Sequence, residues 1–222
     1  MNNILICGTI HDDFRGPERL ARVIREYKPT AIAVESQSST KESLIRLHTR
    51  GGRLCQIPIL GELAALYYFR RNNPKLKPNP ETATKYIESY GFESWFSEEH
   101  ARRNNLPLFN LEDGLVLPPE KNNFWPLVNL PPTKFQESAD NYYNREQQHN
   151  ERRETRDEYM APRVLDISKE QEKLLIVIGN AHAYGHNCLY DLVSQAQTQD
   201  LNVKRMKLIE ADKPNFCLGK TW

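Results

Sequence analysis

Long apolar runs are missing from this chain: nothing approaches the ~20 consecutive apolar residues that a membrane-spanning helix requires. Charge of one sign is missing too, with 30 basic residues against 29 acidic ones and a net charge of +1. No bulk field therefore draws the protein to nucleic acid or anionic lipid. Cysteine is sparse, and Cys7, Cys55, Cys188 and Cys217 lack the paired spacing of a zinc knuckle or a disulfide framework. The opening Met1-Asn2-Asn3 has no basic region, so no signal peptide is expected and the expected setting is cytoplasmic. A Gly-x-Ser-x-Gly elbow and a Gly-x-Gly-x-x-Gly loop are both absent, which removes the familiar serine-hydrolase and dinucleotide patterns. Gly219-Lys220-Thr221 resembles the end of a phosphate loop, but Pro214 stands where its first glycine belongs.

What is present is an alternation of strand and helix signals. Ile4 to Cys7, Ala31 to Glu35, Leu174 to Ile178 and Val203 to Ile209 are short apolar runs of the kind found in buried parallel strands. Gly16-Pro17-Glu18 starts a helix whose Leu20, Val23, Ile24 and Tyr27 share one face, and Pro29 closes it. A second helix is expected after the capping box Ser39 to Glu42, a strand over Leu54 to Ile59, and a helix over Glu62 to Arg70. The expected fold is α/β, a single domain over 1–222 with a central, mostly parallel sheet flanked by helices. Residues 73–133 hold nine of the 14 prolines and read as an inserted helical and loop-rich cover, with a strand near Leu106 to Leu111. Thr133-Lys134-Phe135-Gln136 is a capping box expected to open one long helix. From Asn144 to Glu158 that helix contains no apolar residue, so it is expected to bridge solvent, to face a wet cleft or not to form stably there.

Two glycines are each followed three residues later by a histidine, both just past an apolar run: Gly8-Thr9-Ile10-His11 and Gly179-Asn180-Ala181-His182. In open α/β sheets ligands bind outside the carboxyl ends of the strands. By that rule His11, His182 and Glu35, which ends the second strand, are expected to share one site. Each alone is an ordinary turn or salt-bridged residue; their equivalent placement favours the shared site. Two imidazoles and a carboxylate suit a divalent ion such as Mn, Co, Zn or Fe, which would activate a water. Glu35 could instead act as a general base, and Glu62 is a second candidate for that role. His186, four residues after His182, is a secondary candidate, with Gly185 interrupting a regular helix. Cys7 and Cys188 lie in apolar settings that favour inert burial. Arg153 and Asp157 have ion-pair spacing, so the polar stretch reads first as a solvated helix face.

Four short motifs, in order, resemble the TraB/PrgY/TIKI family, within a wider group that includes ChaN-like proteins and erythromycin esterases. They are Gly8-Thr9-Ile10-His11, Ala33-Val34-Glu35, Arg156-Asp157-x-x-Met160-Ala161 and Gly179-x-x-His182 with Gly185 behind it. The resemblance implies an α/β fold with both histidines in the active cleft and Arg156 as a polar partner there, where a guanidinium would hold an anionic group or stabilise an oxyanion. It further implies a metal-dependent hydrolase of peptide or small-molecule ester bonds. The alternative is a non-catalytic protein holding a peptide, a metal or haem in the same cleft, with His11, His182 or a tyrosine as axial ligand. Nucleic-acid binding through Arg145, Arg152, Arg153 and Arg156 is disfavoured by the acids between them. A homo-oligomer is compatible with all of these.

Overall fold

The computed structural model describes residues 2–35, 66–67, 69–70, 75–89, 91–115, 125–145, 150–196 and 201–218. Its strands are β1 (Asn2–Thr9), β2 (Ala31–Val34), β3 (Leu108–Asn110), β4 (Lys173–Gly179) and β5 (Leu201–Lys207). They form one sheet in the order β3-β2-β4-β1-β5, and every neighbouring pair is parallel. The expected central parallel sheet is thus present. Its register lines up the carboxyl ends: Thr9 pairs with Gly179, Val34 with Val177, and Val34 with Asn110.

Period-two alternation along the strands feeds two cores. One face carries Ile4, Ile6, Ala31, Ala33, Leu174 and Ile176. It is covered by α5 (Glu151–Glu170), α6 (Asn180–Tyr184) and α7 (Leu189–Gln195), through Met160, Val164, Ala183, Leu189 and Val193. The other face carries Leu5, Cys7, Ile32, Val34, Leu175 and Val177, under Leu20, Val23, Ile24 and Tyr27 of α1 (Gly16–Tyr27) and Phe92 of α3 (Phe92–Asn104). Each large side chain fully buried in this way contributes roughly 1.5–3 kcal/mol. A smaller cluster joins Ala83 of α2 (Pro80–Ser89) to Phe69, Val128 and Phe135, the last on α4 (Pro132–Tyr142).

Three expectations change. The helix opened by Thr133 is two helices: α4 starts at Pro132 and ends at Tyr142, and α5 starts afresh at Glu151. The new start has its own cap, the Asn150 side chain accepting the Arg153 N–H at 3.1 Å. Residues 73–133 supply the strand expected near Leu106 to Leu111, as β3, and also, beyond the expected cover, the core residue Phe92. The polar stretch beyond Asn150 is not a solvated face, because Arg153 and Asp157 are buried. The capping box at Ser39, the strand over Leu54 to Ile59 and Glu62 lie outside the described residues; of the helix expected over Glu62 to Arg70, residues 66–67 and 69–70 are helical. No helix among the described residues is long and apolar enough to cross a membrane.

Candidate functional site

The aligned strand ends bring three chemistry-bearing groups around one glycine. A Cβ placed on Gly179 would stand 3.3 Å from Glu35 Oε2, 3.5 Å from His182 Cδ2 and 3.8 Å from His11 Nε2. The Gly179 N–H, at the end of β4, donates to Glu35 Oε2 at 3.0 Å. One short helical turn, α6, then carries His182 back over the strand end, with its Nε2 3.7 Å from Glu35 Oε1. His11, Glu35 and His182 therefore do meet, as the equivalent positions of their strands require.

Each imidazole is fixed from behind by a carboxylate. His182 Nδ1 lies 2.6 Å from Asp157 Oδ1, with both side chains buried. His11 Nδ1 lies 2.9 Å from Glu93 Oε1, which also accepts the Thr9 hydroxyl at 2.9 Å. The two rings differ in access: the His11 side chain is 57% exposed and that of His182 only 5%. Engaging Nδ1 leaves Nε2 of both rings as the nitrogen offered to the site. Glu93 pushes His11 up to about 10, partly opposed by desolvation. Burial by itself would raise Glu35, but His182, Arg156, His11 and the Gly179 N–H together hold it well below the usual carboxylate range. Burial raises Asp157 above its ordinary value, against the pull of His182 and Arg153.

Helix α5 closes the cluster from the side. Arg156 donates through Nη2 to Glu35 Oε1 and through Nε to Glu112 Oε1. Glu112 stands just past β3, its N–H donating to the Glu35 carbonyl at 3.1 Å. The same helix therefore reaches three strand ends, through Arg156 to those of β2 and β3 and through Asp157 to that of β4. Further along, Tyr159 Oη and Arg163 Nη1 both donate to the Asp113 carbonyl, at 2.6 and 2.5 Å, and hold the loop that carries Glu112.

His186 stands apart from this cluster, 68% exposed and 3.8 Å from Glu154. Cys188 caps α7 and burial raises its thiol, as it does that of Cys7, so neither is a poised nucleophile. Sequence reasoning missed Glu93, Glu112 and the role of Asp157. Glu93 lies among prolines in a stretch read as a cover, and nothing local marks it. Asp157 carried a usable signal, since it stands inside the Arg156-Asp157-x-x-Met160-Ala161 motif.

The donor chemistry of His11, His182 and Glu35 suits a divalent ion, and a carboxylate behind Nδ1 is the usual support of a metal-ligating histidine. As placed, however, the set does not fit one. The Arg156 guanidinium already neutralises Glu35, and no three His, Cys, Asp or Glu among the described residues are grouped to hold a metal. No protein-family model, curated protein or solved structure matches the chain.

Proposed function

We propose that the chain is a hydrolase that cleaves a peptide or ester bond with water activated at the cluster of His11, His182 and Glu35. The observation that carries this is the pairing of both histidines with carboxylates at Nδ1, with His11 Nε2 and His182 Cδ2 both close to the Cβ position of Gly179 and His182 Nε2 3.7 Å from Glu35 Oε1. A carboxylate-held imidazole is a general acid or base, and each such group contributes about 10²–10⁴-fold to a rate. His182 Nε2 takes a proton from the water as its oxygen attacks the carbonyl carbon. Arg156 faces the negative charge that develops on the carbonyl oxygen. His11, the accessible ring, donates a proton to the leaving nitrogen or oxygen as the bond to carbon breaks. Glu35 stays ionised and fixes the charges around it; a carboxylate held that low is a weak base, so the base role passes to histidine. The resemblance to the TraB/PrgY/TIKI group supports hydrolysis in this cleft, and for the part played by a metal it supports the second reading below.

A second reading keeps the metal: an ion of Mn, Co, Zn or Fe on His11, His182 and Glu35, favoured by the carboxylate support of both imidazoles. It requires Arg156 to leave Glu35. One experiment separates the readings: metal content and an optical spectrum of protein purified without chelator, then cleavage of peptide and ester libraries with and without chelator. Cleavage that survives chelation, with kcat/KM at least ~100-fold lower in His11→Ala and in His182→Ala, is the expected result. Stoichiometric metal with chelator-sensitive cleavage selects the second reading. A haem Soret band, or no cleavage under any condition, contradicts hydrolysis.

A further inference from the structure

Behind Asp157 lies a buried cation that takes no direct part in the proposed chemistry. Arg153, one turn before Asp157 on α5, is 5% exposed. Its guanidinium rests against Gly185: a Cβ there would overlap Nη1 and stand 2.6 Å from Cζ, as well as 2.5 Å from the Ala181 carbonyl oxygen. The φ of Gly185 is −76°, open to any residue, so glycine is needed here for room and not for backbone freedom. Nη2 of Arg153 donates to the His186 carbonyl, which ties α5 to the loop following α6. Nε of Arg153 faces Asp157 Oδ2 at 3.5 Å.

Asp157 has one oxygen on His182 and the other, Oδ2, without a hydrogen-bond partner; Nε and Nη1 of Arg153 are likewise without one. At 3.5 Å the pair is held by charge more than by a hydrogen bond. A buried carboxylate whose second oxygen loses the cation that faces it is free to turn or to reach for another partner. Turning it would remove the support of the His182 ring.

We propose that Arg153, seated on Gly185, is a positioning residue that fixes Asp157 and, through it, the orientation of the His182 ring. Its functional meaning rests on the part given to His182 above, but its geometry does not. The glycine of the Gly179-x-x-His182-x-x-Gly185 pattern then has a purpose. It leaves space for the cation that orients the histidine.

The test needs no substrate, so its failure and the failure of the hydrolase proposal are distinguishable. Solution NMR of the full chain would follow the downfield Nδ1–H resonance of His182, assigned by its loss in His182→Gln. The resonance is expected in the wild type and in Arg153→Lys, which keeps the charge. It is expected to be lost, or shifted upfield with fast solvent exchange, in Arg153→Gln and in Arg153→Met, which remove the cation and leave the glycine in place. Should Arg153→Gln fail to fold, Arg153→Met carries the same readout. An unchanged resonance in the folded Arg153→Gln or Arg153→Met protein would overturn the proposal, as would its loss in folded Arg153→Lys.

Discussion

Gly179 is the residue around which the cluster is spaced. Its place for a Cβ, 3.3 Å from Glu35 Oε2, is tighter than ordinary van der Waals contact. The Gly179→Ala methyl would push the carboxylate by a few tenths of an ångström while leaving the strand in place. The expected outcome is loss of hydrolysis by more than ~10-fold, because catalysis is sensitive to small misplacement, with a fall in Tm of only a few degrees. Equal losses of Tm and activity, measured by calorimetry and kinetics on the same preparation, would assign Gly179 a structural role. His11 gives a pH dependence whose sign is fixed. Its folded value is raised from 6.5 to about 10. The stabilisation from Glu93 is therefore complete below pH 6.5 and disappears as pH rises through 10. The Tm difference between wild type and Glu93→Gln should be largest below 6.5 and shrink across that window, by a modest amount because His11 is more than half exposed. A difference independent of pH would mean that Glu93 acts through Thr9 alone.

Helix α5 is the element that turns aligned strand ends into a site. Its first half sends Arg153, Arg156 and Asp157 into the cluster, and its second half packs Met160, Ala161 and Val164 on the sheet. Its start rests on the Asn150 cap, so Asn150→Ala should cost about 0.5–2 kcal/mol in urea denaturation and lower kcat more than it changes KM. An unchanged midpoint would mean that packing alone sets where the helix begins. The contrast with α1 shows what was legible in the sequence. Gly16-Pro17-Glu18 and the Leu20-Val23-Ile24-Tyr27 face announce α1, whose bounds follow them directly. Residues 144–158 have no apolar stripe, so the pattern could not say which side of α5 is inward. The burial of Arg153 and Asp157 is decided by partners far along the chain, His182 and the His186 carbonyl, and not by periodicity.

At the scale of the whole molecule, strand type was legible and strand order was not. Apolar runs ending at Gly8, Glu35 and Gly179 marked parallel strands whose carboxyl ends share one edge, and the sheet bears out that placement. That β4 lies between β1 and β2 is set by long-range pairing, which no local pattern encodes. The loop carrying His11 is held by a second long-range device. Arg19, 1% exposed, pairs with Asp13 at 2.7 Å, Asp140 at 2.9 Å and Asp212 at 2.6 Å, joining that loop to α4 and to the segment after β5. Asp13 is wholly buried and accepts the Tyr143 hydroxyl at 3.0 Å as well. Arg19→Met leaves that carboxylate without its cation and should cost about 3–5 kcal/mol in denaturant unfolding. A loss below about 1 kcal/mol would mean that the hydrogen bonds to Asp13 suffice without the charge.

The central claim is that two histidines from opposite ends of the chain act as one catalytic unit. A double-mutant cycle on kcat/KM tests it most directly, using His11→Ala, His182→Ala and the double variant against the best substrate from the library. Groups that act together are strongly non-additive, so each single variant should lose at least ~100-fold and the double variant little more than the worse single. Losses that multiply in the double variant, or single variants that keep wild-type activity, would contradict a shared site.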